Sequence, residues 1–357
     1  MLSRCGGRGL IRTPLHRDIH GRRTIVPALA GRRAMKYRQF GRTGIRVSEI
    51  GIGGWGIGGI QMVEGVANSY GPADDAEAIR MIHWAIDQGI NFIDTAPPYG
   101  FGHSEEVIGL ATRDRRDKVI IETKAGEHYP DGKKTWSFAP AFIRQSIDES
   151  LARLQTDYID SFILHLPMDG GVSVEQALAA IDAAQGTGKV RLVGASIYDN
   201  AMGVDLIRSG RVQVIQQAIS LLQSGATTDL LPAAADHGVA IVARQALFRG
   251  FLTDAVTRDT TFRREDLRSN TPRDVFLRHM DRIDDLTFLW REGRRRKIEA
   301  ALQYVLGFPA VSTVICGAMS RTELSESVAA VDATPLTPAE MARVEQVHAG
   351  KTAGAQR

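Results

Sequence analysis

Between Glu49 and Gly317 the chain alternates short apolar runs with longer segments of helical period, and the cycle repeats eight times. The strand candidates are EIGIGGWG (49–56), NFIDTAP (91–97), VIIETKA (119–125), YIDSFILHLP (158–167), VRLVGASI (190–197), QVIQQAIS (213–220), AIVARQAL (240–247) and VSTVICG (311–317). Amphipathic stretches such as DDAEAIRMIHWAIDQG and FIRQSIDESLARL lie between them, each ending near a Gly or a polar turn. Eight β-then-α units over about 300 residues match a (β/α)8 barrel, the TIM-barrel architecture, with one parallel eight-stranded sheet. An open doubly wound sheet would alternate in a similar way, and the count favours the barrel. One segment breaks the even spacing: the stretch between Leu252 and Trp290, rich in Arg, Asp and Thr, reads as a long loop after strand 7. Loops at the carboxyl ends of barrel strands carry the chemistry, so this one is expected either to cover a site or to be a solvated charged excursion.

With 43% hydrophobic and 24% charged residues, the chain has the composition of a globular protein. Its two cysteines, Cys5 and Cys316, are too far apart in sequence to suggest a disulfide framework or a metal knuckle, and they point to a reducing compartment. The nine histidines show no H-E-x-x-H or similar spacing, so no metal is expected. Charged residues, Gly and Gln interrupt every apolar run before the roughly 18 to 20 residues of a membrane span. The formal charge of +3 hides a division: residues 1–34 hold eight arginines and one acid, Asp18, for a contribution of +7, and the remainder carries −4. Positive charge confined to a leader gives no basic surface for nucleic acid on the folded part.

Residues 1–34 show no hydrophobic periodicity, and a coherent pattern starts at Met35. They read as a disordered leader or a start assigned upstream of Met35, as an Arg-rich organelle transit peptide, or as a twin-arginine signal at Arg22 and Arg23. The apolar stretch TIVPALA is short and runs at once into Gly31, Arg32 and Arg33, which disfavours export and places the protein in the cytoplasm. The expected organisation is a single domain over 35–350 and a frayed tail over 351–357.

Four polar residues fall at or just beyond the carboxyl ends of successive strands: Asp94 and Tyr99 after the second, Lys124 in the third, His165 in the fourth. A polar group at an apolar strand end is costly unless paired, so their convergence on one barrel mouth points to a mutually satisfied cluster. A tyrosine is a weak acid with a reference pKa of about 10, and acid catalysis by Tyr99 needs a neighbour that stabilises the phenolate. Lys124 could supply that charge while Asp94 holds the ammonium, and His165 could orient a carbonyl oxygen gaining negative charge. The acids Asp74, Asp75 and Glu77, like Glu105 and Glu106, are explained by the macrodipole of a helix start.

The segments FIDTAPPYG, IIETKAG and TDYIDSFILHLP resemble the Asp, Tyr, Lys and His segments of the aldo-keto reductase family. The similarity runs from about Tyr37 to His348 and includes GKVRLVGAS, DHGVAIVA and AALQYVLGFPAVSTVICGA in the family's order. The resemblance implies an enzyme that moves hydride between NAD(P)H and the carbonyl of a small aldehyde, ketone or sugar, or the matching alcohol. Tyr99 is then the general acid, Lys124 and Asp94 its tuning pair, and His165 the substrate orienter. It also implies cofactor contacts at Ser196 and Gln216 for the nicotinamide carboxamide and at Leu247, Arg249 and Gly250 for the pyrophosphate. Gly317, Ala318, Arg321, Glu323 and Glu326 would lie toward the adenosine end. Ile197 stands in place of the usual Asn, removing one carboxamide contact, and Ile219 in place of the aromatic residue under the nicotinamide ring, where an aliphatic would serve as an apolar wall. Glu323 would repel a 2′-phosphate and accept from a ribose hydroxyl, while Arg321 could bind the phosphate; family precedent sets NADP ahead, with NAD open. Trp55, His128, Tyr129 and Trp136 are placed to line a substrate pocket. Rival readings are a cofactor-binding sensor or regulatory subunit on the same barrel, and a Schiff-base lyase or isomerase acting through Lys124.

Overall fold

The computed structural model describes the backbone of residues 15–17, 23–25, 35–165, 174–291 and 293–354. It divides into two units, Met1–Ala34 and Met35–Arg357. In the first, Leu15–Arg17 pairs antiparallel with Arg23–Ile25; the other leader residues lie outside those described.

The second unit is a closed barrel of eight parallel strands in chain order: β1 (Ile50–Gly53), β2 (Phe92–Asp94), β3 (Ile120–Ala125), β4 (Ile159–His165), β5 (Val190–Ser196), β6 (Val214–Ala218), β7 (Ala240–Arg244) and β8 (Val311–Gly317). Each lies within one of the segments read from the sequence, and β8 closes on β1 through Val314↔Ile50 to Gly317↔Gly53. Helices α1 (Asp75–Asp87), α2 (His103–Thr112), α3 (Pro140–Leu154), α4 (Val174–Gly186), α5 (Asn200–Arg208) and α6 (Leu230–His237) follow the first six strands. The long loop contains a helix of its own, α7 (Arg273–Asp284), and α8 (Lys297–Leu306), α9 (Arg321–Ala329) and α10 (Pro338–Gly354) complete the outer layer. The last of these carries helical backbone past residue 350, where the sequence set the end of the domain.

The amino end of the barrel is sealed. A hairpin of Tyr37–Gln39 and Arg46–Ser48 brings Phe40 against Phe92, with ring centroids 5.5 Å apart, and both pack with Ile163, Leu192, Val214, Ala240 and Val242. The interior is therefore dry at that end, and the polar residues of the strands collect at the other. The acids at the start of α1 behave as their position suggests, Asp74 Oδ1 accepting the Glu77 N–H at 2.9 Å. Glu105 does not. It is fully buried, accepting from Arg153 Nε at 2.6 Å and from Thr123 Oγ1 at 2.6 Å, so it ties α2 to α3 and β3 rather than serving a helix dipole at the surface.

The insertion after β7 is more than a solvated loop. Phe276 of α7 packs on Phe251 and Phe262, with ring centroids 5.3 and 6.1 Å apart, which gives the segment a small apolar centre. Leu267 N–H donates to Ser69 O at 2.7 Å and Asn270 Nδ2 donates to Ala67 O at 2.8 Å. These bonds fasten it to the loop after β1, so it spans the rim at the carboxyl ends of the strands.

Candidate active site

Side chains alternate along a strand, so Phe92, Val214, Ala240 and Val242 in the interior cluster fix which residues of the same parity point inward. On that face lie Asp94, Glu122, Lys124, His165, Ser196, Gln216 and Arg244. Register makes several of them neighbours: Asp94↔Glu122, His165↔Ser196 and Ser196↔Gln216. The Gln216 amide crosses the interior, its Nε2 donating to Asp94 Oδ1 and to Glu122 Oε1 at 2.7 Å each, while its Oε1 accepts from Ser196 Oγ at 3.1 Å.

Lys124 is completely buried and Asp94 2% exposed, and the Lys124 ammonium donates to Asp94 Oδ1 and, at 2.7 Å, to Thr95 O. A fully desolvated cation survives only with such partners. Glu122 places a second carboxylate beside this pair. Burial and the Asp94 charge push its pKa up to about 8, against the opposing pull of Lys124, so near neutral pH the cluster holds a proton on Glu122 and an ion pair beside it. Glu122 was not singled out from the sequence, although its place two residues before Lys124 on one strand puts both on the same face.

Tyr99 sits in the loop after β2, its N–H donating to Ala96 O at 3.0 Å. The Lys124 Nζ lies 5.0 Å from the centre of its ring, and the His165 ring meets it edge-on with centroids 6.1 Å apart. The structure thus gathers all four residues of the expected tetrad. The electrostatics differ from the expectation in one respect. Burial, Asp94 and Glu127 raise the Tyr99 phenol well above its ordinary value and Arg244 opposes them, while the Lys124 charge is already engaged by Asp94. The phenol is held neutral. His165 is likewise kept neutral, its pKa lowered by burial and by the cations Lys124, Arg244 and Lys134, and its Nδ1 has no hydrogen-bond partner among the described residues.

The residues expected to line a pocket divide. Trp55 stacks on Tyr99, with centroids 6.1 Å apart at 22°, and donates from Nε1 to Asn68 O at 3.1 Å. The Tyr129 hydroxyl donates to Glu127 Oε1 at 2.5 Å and accepts from Asn68 Nδ2 at 3.0 Å, joining the same wall. Trp136 pairs with Glu127 across a short hairpin and therefore shares its face. His128 faces the other way: its ring lies 4.5 Å from Phe142 of α3 and its Nδ1 contacts Gly126 O at 3.0 Å, so it belongs to the helix packing.

On the opposite half of the mouth, Ser196 at the end of β5 and Gln216 within β6 are almost fully buried. The segment after β7 turns sharply, with Gln245, Phe248 and Arg249 in the left-handed region at φ of 57°, 46° and 55°, followed by Gly250 at 84°. Such conformations cost about 1–3 kcal/mol each for non-glycine residues and concentrate where backbone must meet a ligand. Leu247 lies within this turn, and its carbonyl accepts from Gly250 N–H at 3.0 Å and from Leu252 N–H at 3.1 Å. Gly317 is exposed and a side chain there would meet open space, with buried Ala318 beside it. Glu323 accepts the Met319 N–H at 2.9 Å at the start of α9. Arg321 lies over the Trp84 ring at 5.3 Å, and Glu326 is partly buried with its pKa raised by desolvation. The Ile197 side chain is turned toward Gly203 of α5, and Ile219 is completely buried.

A (β/α)8 barrel sealed at its amino end, with a buried lysine–carboxylate cluster, a neutral tyrosine and a neutral histidine at its carboxyl mouth, belongs to the class of barrel enzymes. Among the described residues there is no cluster able to hold a metal ion and no helix long and apolar enough to cross a membrane. The chain belongs to the aldo/keto reductase family, whose sequence profile matches residues 49–349. It is 32% identical to the aldo-keto reductase YhdN of Bacillus subtilis over 81% of this chain and 87% of that protein. To the NADH-specific methylglyoxal reductase of Escherichia coli it is 29% identical, over 84% and 94%. Among solved structures, the glycerol dehydrogenase of Gluconobacter oxydans superposes with a TM-score of 0.72 at 32% identity, covering 85% of this chain and 92% of that one. The holo form of an aldo-keto reductase from Bacillus halodurans gives 0.71 at 29%, covering 88% and 96%. The protein is an NAD(P)H-dependent oxidoreductase of small carbonyl compounds.

Proposed function

We propose that the chain reduces the carbonyl of a small aldehyde, ketone or sugar, or oxidises the corresponding alcohol, with Tyr99 giving or taking the proton. The observation that carries this reading is the neutral Tyr99 phenol, set between Lys124 and His165 at the mouth. A nicotinamide cofactor supplies the hydride to the carbonyl carbon when bound. Tyr99 donates its phenolic proton to the oxygen, which gains charge as the hydride arrives, and the nearby Arg244 charge stabilises the phenolate left behind. Asp94 keeps the Lys124 ammonium fixed, and neutral His165 orients the carbonyl oxygen by hydrogen bonding. Trp55, Tyr129 and Trp136 give the substrate an apolar wall.

The second half of the mouth suits the cofactor. Ser196 and Gln216 supply an amide-matching pair for the carboxamide, the left-handed turn through Arg249 and Gly250 presents backbone close to a pyrophosphate, and Gly317, Ala318 and Glu326 leave room toward the adenosine. The order of cofactors expected from sequence is reversed in this proposal. Glu323 offers a carboxylate at the start of α9, where a 2′-phosphate would be repelled and a ribose hydroxyl welcomed, and Arg321 is engaged with Trp84. NAD(H) is therefore set ahead of NADP(H). Cytoplasmic placement is part of the same reading.

The test is a fluorescence titration with NADH and NADPH, followed by absorbance of the reduced nicotinamide over a panel of aldehydes, ketones and sugars. Binding of NADH in preference to NADPH, with turnover that Tyr99→Phe abolishes while binding persists, is the expected result. Turnover that survives Tyr99→Phe removes Tyr99 from the role, and absence of binding by either cofactor removes the reading.

A further inference from the structure

Arg244 ends β7 and points into the mouth, two residues beyond Val242 of the interior cluster. Its surroundings differ from those of four other buried or half-buried arginines. Arg116, Arg153, Arg268 and Arg295 each meet a carboxylate at 2.6 to 2.8 Å. Arg244 has no such partner among the described residues. Its Nη2 donates to Ile197 O at 2.8 Å, its guanidinium lies 4.5 Å from the centre of the Tyr198 ring, and its Nε is closed off from solvent with nothing to donate to among the described residues. Arginine keeps its charge under such conditions. The charge is felt in the site, where it pulls the Tyr99 and His165 pKa values downward.

The strand order places this cation precisely with respect to the proposed cofactor. Gln216 and Ser196 lie on β6 and β5, β7 is the next strand after β6, and Arg244 is opposite Ala218 in register. Its hydrogen bond to Ile197 O reaches back to the residue after Ser196. Tyr99, His165, Trp55 and Tyr129 occupy the β1–β4 half of the mouth, so Arg244 belongs to the nicotinamide half and not to the substrate wall.

We propose that Arg244 makes the site bind the reduced nicotinamide more tightly than the oxidised one. The inference rests on the cofactor placement proposed above. The reduced ring is neutral and the oxidised ring carries one positive charge. A guanidinium with no carboxylate in ion-pair contact among the described residues, held in a poorly solvated mouth, repels the second form and not the first. Cofactor exchange then runs toward expulsion of the oxidised form, which suits carbonyl reduction as the working direction.

The experiment compares equilibrium affinities of the full chain for NADH, NAD+ and ADP-ribose by calorimetry, in the wild type, Arg244→Lys and Arg244→Gln. ADP-ribose lacks the nicotinamide and reports on the rest of the site. The wild type is expected to prefer NADH over NAD+ by about tenfold or more, equivalent to 1.4 kcal/mol. Arg244→Lys keeps that ratio, and Arg244→Gln brings it close to one by tightening NAD+, with ADP-ribose unchanged. Equal wild-type affinities for NADH and NAD+ overturn the inference without needing any variant to fold, and leave the cofactor placement standing. A ratio that persists in Arg244→Gln overturns it too, as does a parallel weakening of all three ligands, which would mark a structural role. Failure of every nucleotide to bind the wild type overturns the cofactor placement itself and this inference with it.

Discussion

Glu122 and Asp94 are neighbours in register on β3 and β2, and both carboxylates accept from the same nitrogen, Gln216 Nε2, at 2.7 Å. Two buried acids share one buried ammonium, Lys124, so the arrangement is electrically balanced only while one of the acids is protonated.

The proton resides on Glu122, whose pKa rises from 4.5 to about 8 through burial and the Asp94 charge. A carboxyl raised on folding contributes stability that is complete below its unfolded value and is lost as pH climbs through the folded one, here between pH 4.5 and about 8. Glu122→Gln keeps the shape and the acceptor for Gln216, and its amide nitrogen can donate to Ser161 Oγ, which donates to Glu122 Oε2 at 2.7 Å in the wild type. The variant should match the wild type near pH 5 and exceed it at pH 9 by on the order of 3 kcal/mol. Melting temperatures of both proteins across that range check this, and parallel curves would show that Glu122 does not titrate in the folded state.

Lys124 is the other half of the balance. Lys124→Met leaves Asp94 without its cation and the Thr95 carbonyl without its donor, in a region closed to water. Removing one member of a buried pair costs about 3–5 kcal/mol. Adding Asp94→Asn removes the stranded charge and leaves an oxygen for Gln216, so the double variant should recover a large part of that loss. Denaturant midpoints for the single variants and the double measure it; additive losses would mean that the two side chains are not coupled.

Much of this was legible in the sequence. The eight strand segments each contain an observed strand, because Val- and Ile-rich runs buried on both faces stand out from amphipathic helices, and Asp94, Tyr99, Lys124 and His165 stood out as polar groups at apolar strand ends. Other features depend on contacts across the barrel. Glu122 gains its meaning from Gln216 and Asp94, far away in the chain, and Arg244 from having no carboxylate in ion-pair contact among the described residues, which only the folded mouth can reveal. Glu105 has the sequence of a helix-start acid and the environment of a core ion pair. Ile197 was placed beside the nicotinamide by position along the chain, yet its side chain faces Gly203 of α5, since one residue of phase reverses the face a strand-end side chain presents. His128 is separated from Tyr129 for the same reason.

The position of Tyr99 itself depends on a glycine. A Cβ on Gly58 would stand 2.7 Å from the Tyr99 carbonyl carbon and 2.7 Å from the Gly100 nitrogen. Gly100 is in turn left-handed at φ 64° and pressed onto the Gly58 carbonyl. The neighbours are backbone, so a methyl group cannot be accommodated by a rotamer change, and the loop bearing Tyr99 has to move. Gly58→Ala should lower stability by about 1–3 kcal/mol and displace the phenol from Lys124 and His165. An error of about 1 Å at a reacting group can cost on the order of a hundredfold in rate, so kcat should fall far more than the modest loss of stability explains. Gly186→Ala, at the end of α4 where a Cβ meets nothing within 4 Å, is the control and should leave both quantities unchanged. Steady-state kinetics with thermal melts decide the matter: a Gly58→Ala enzyme with unaltered kcat would mean that the loop gives way without carrying Tyr99 along.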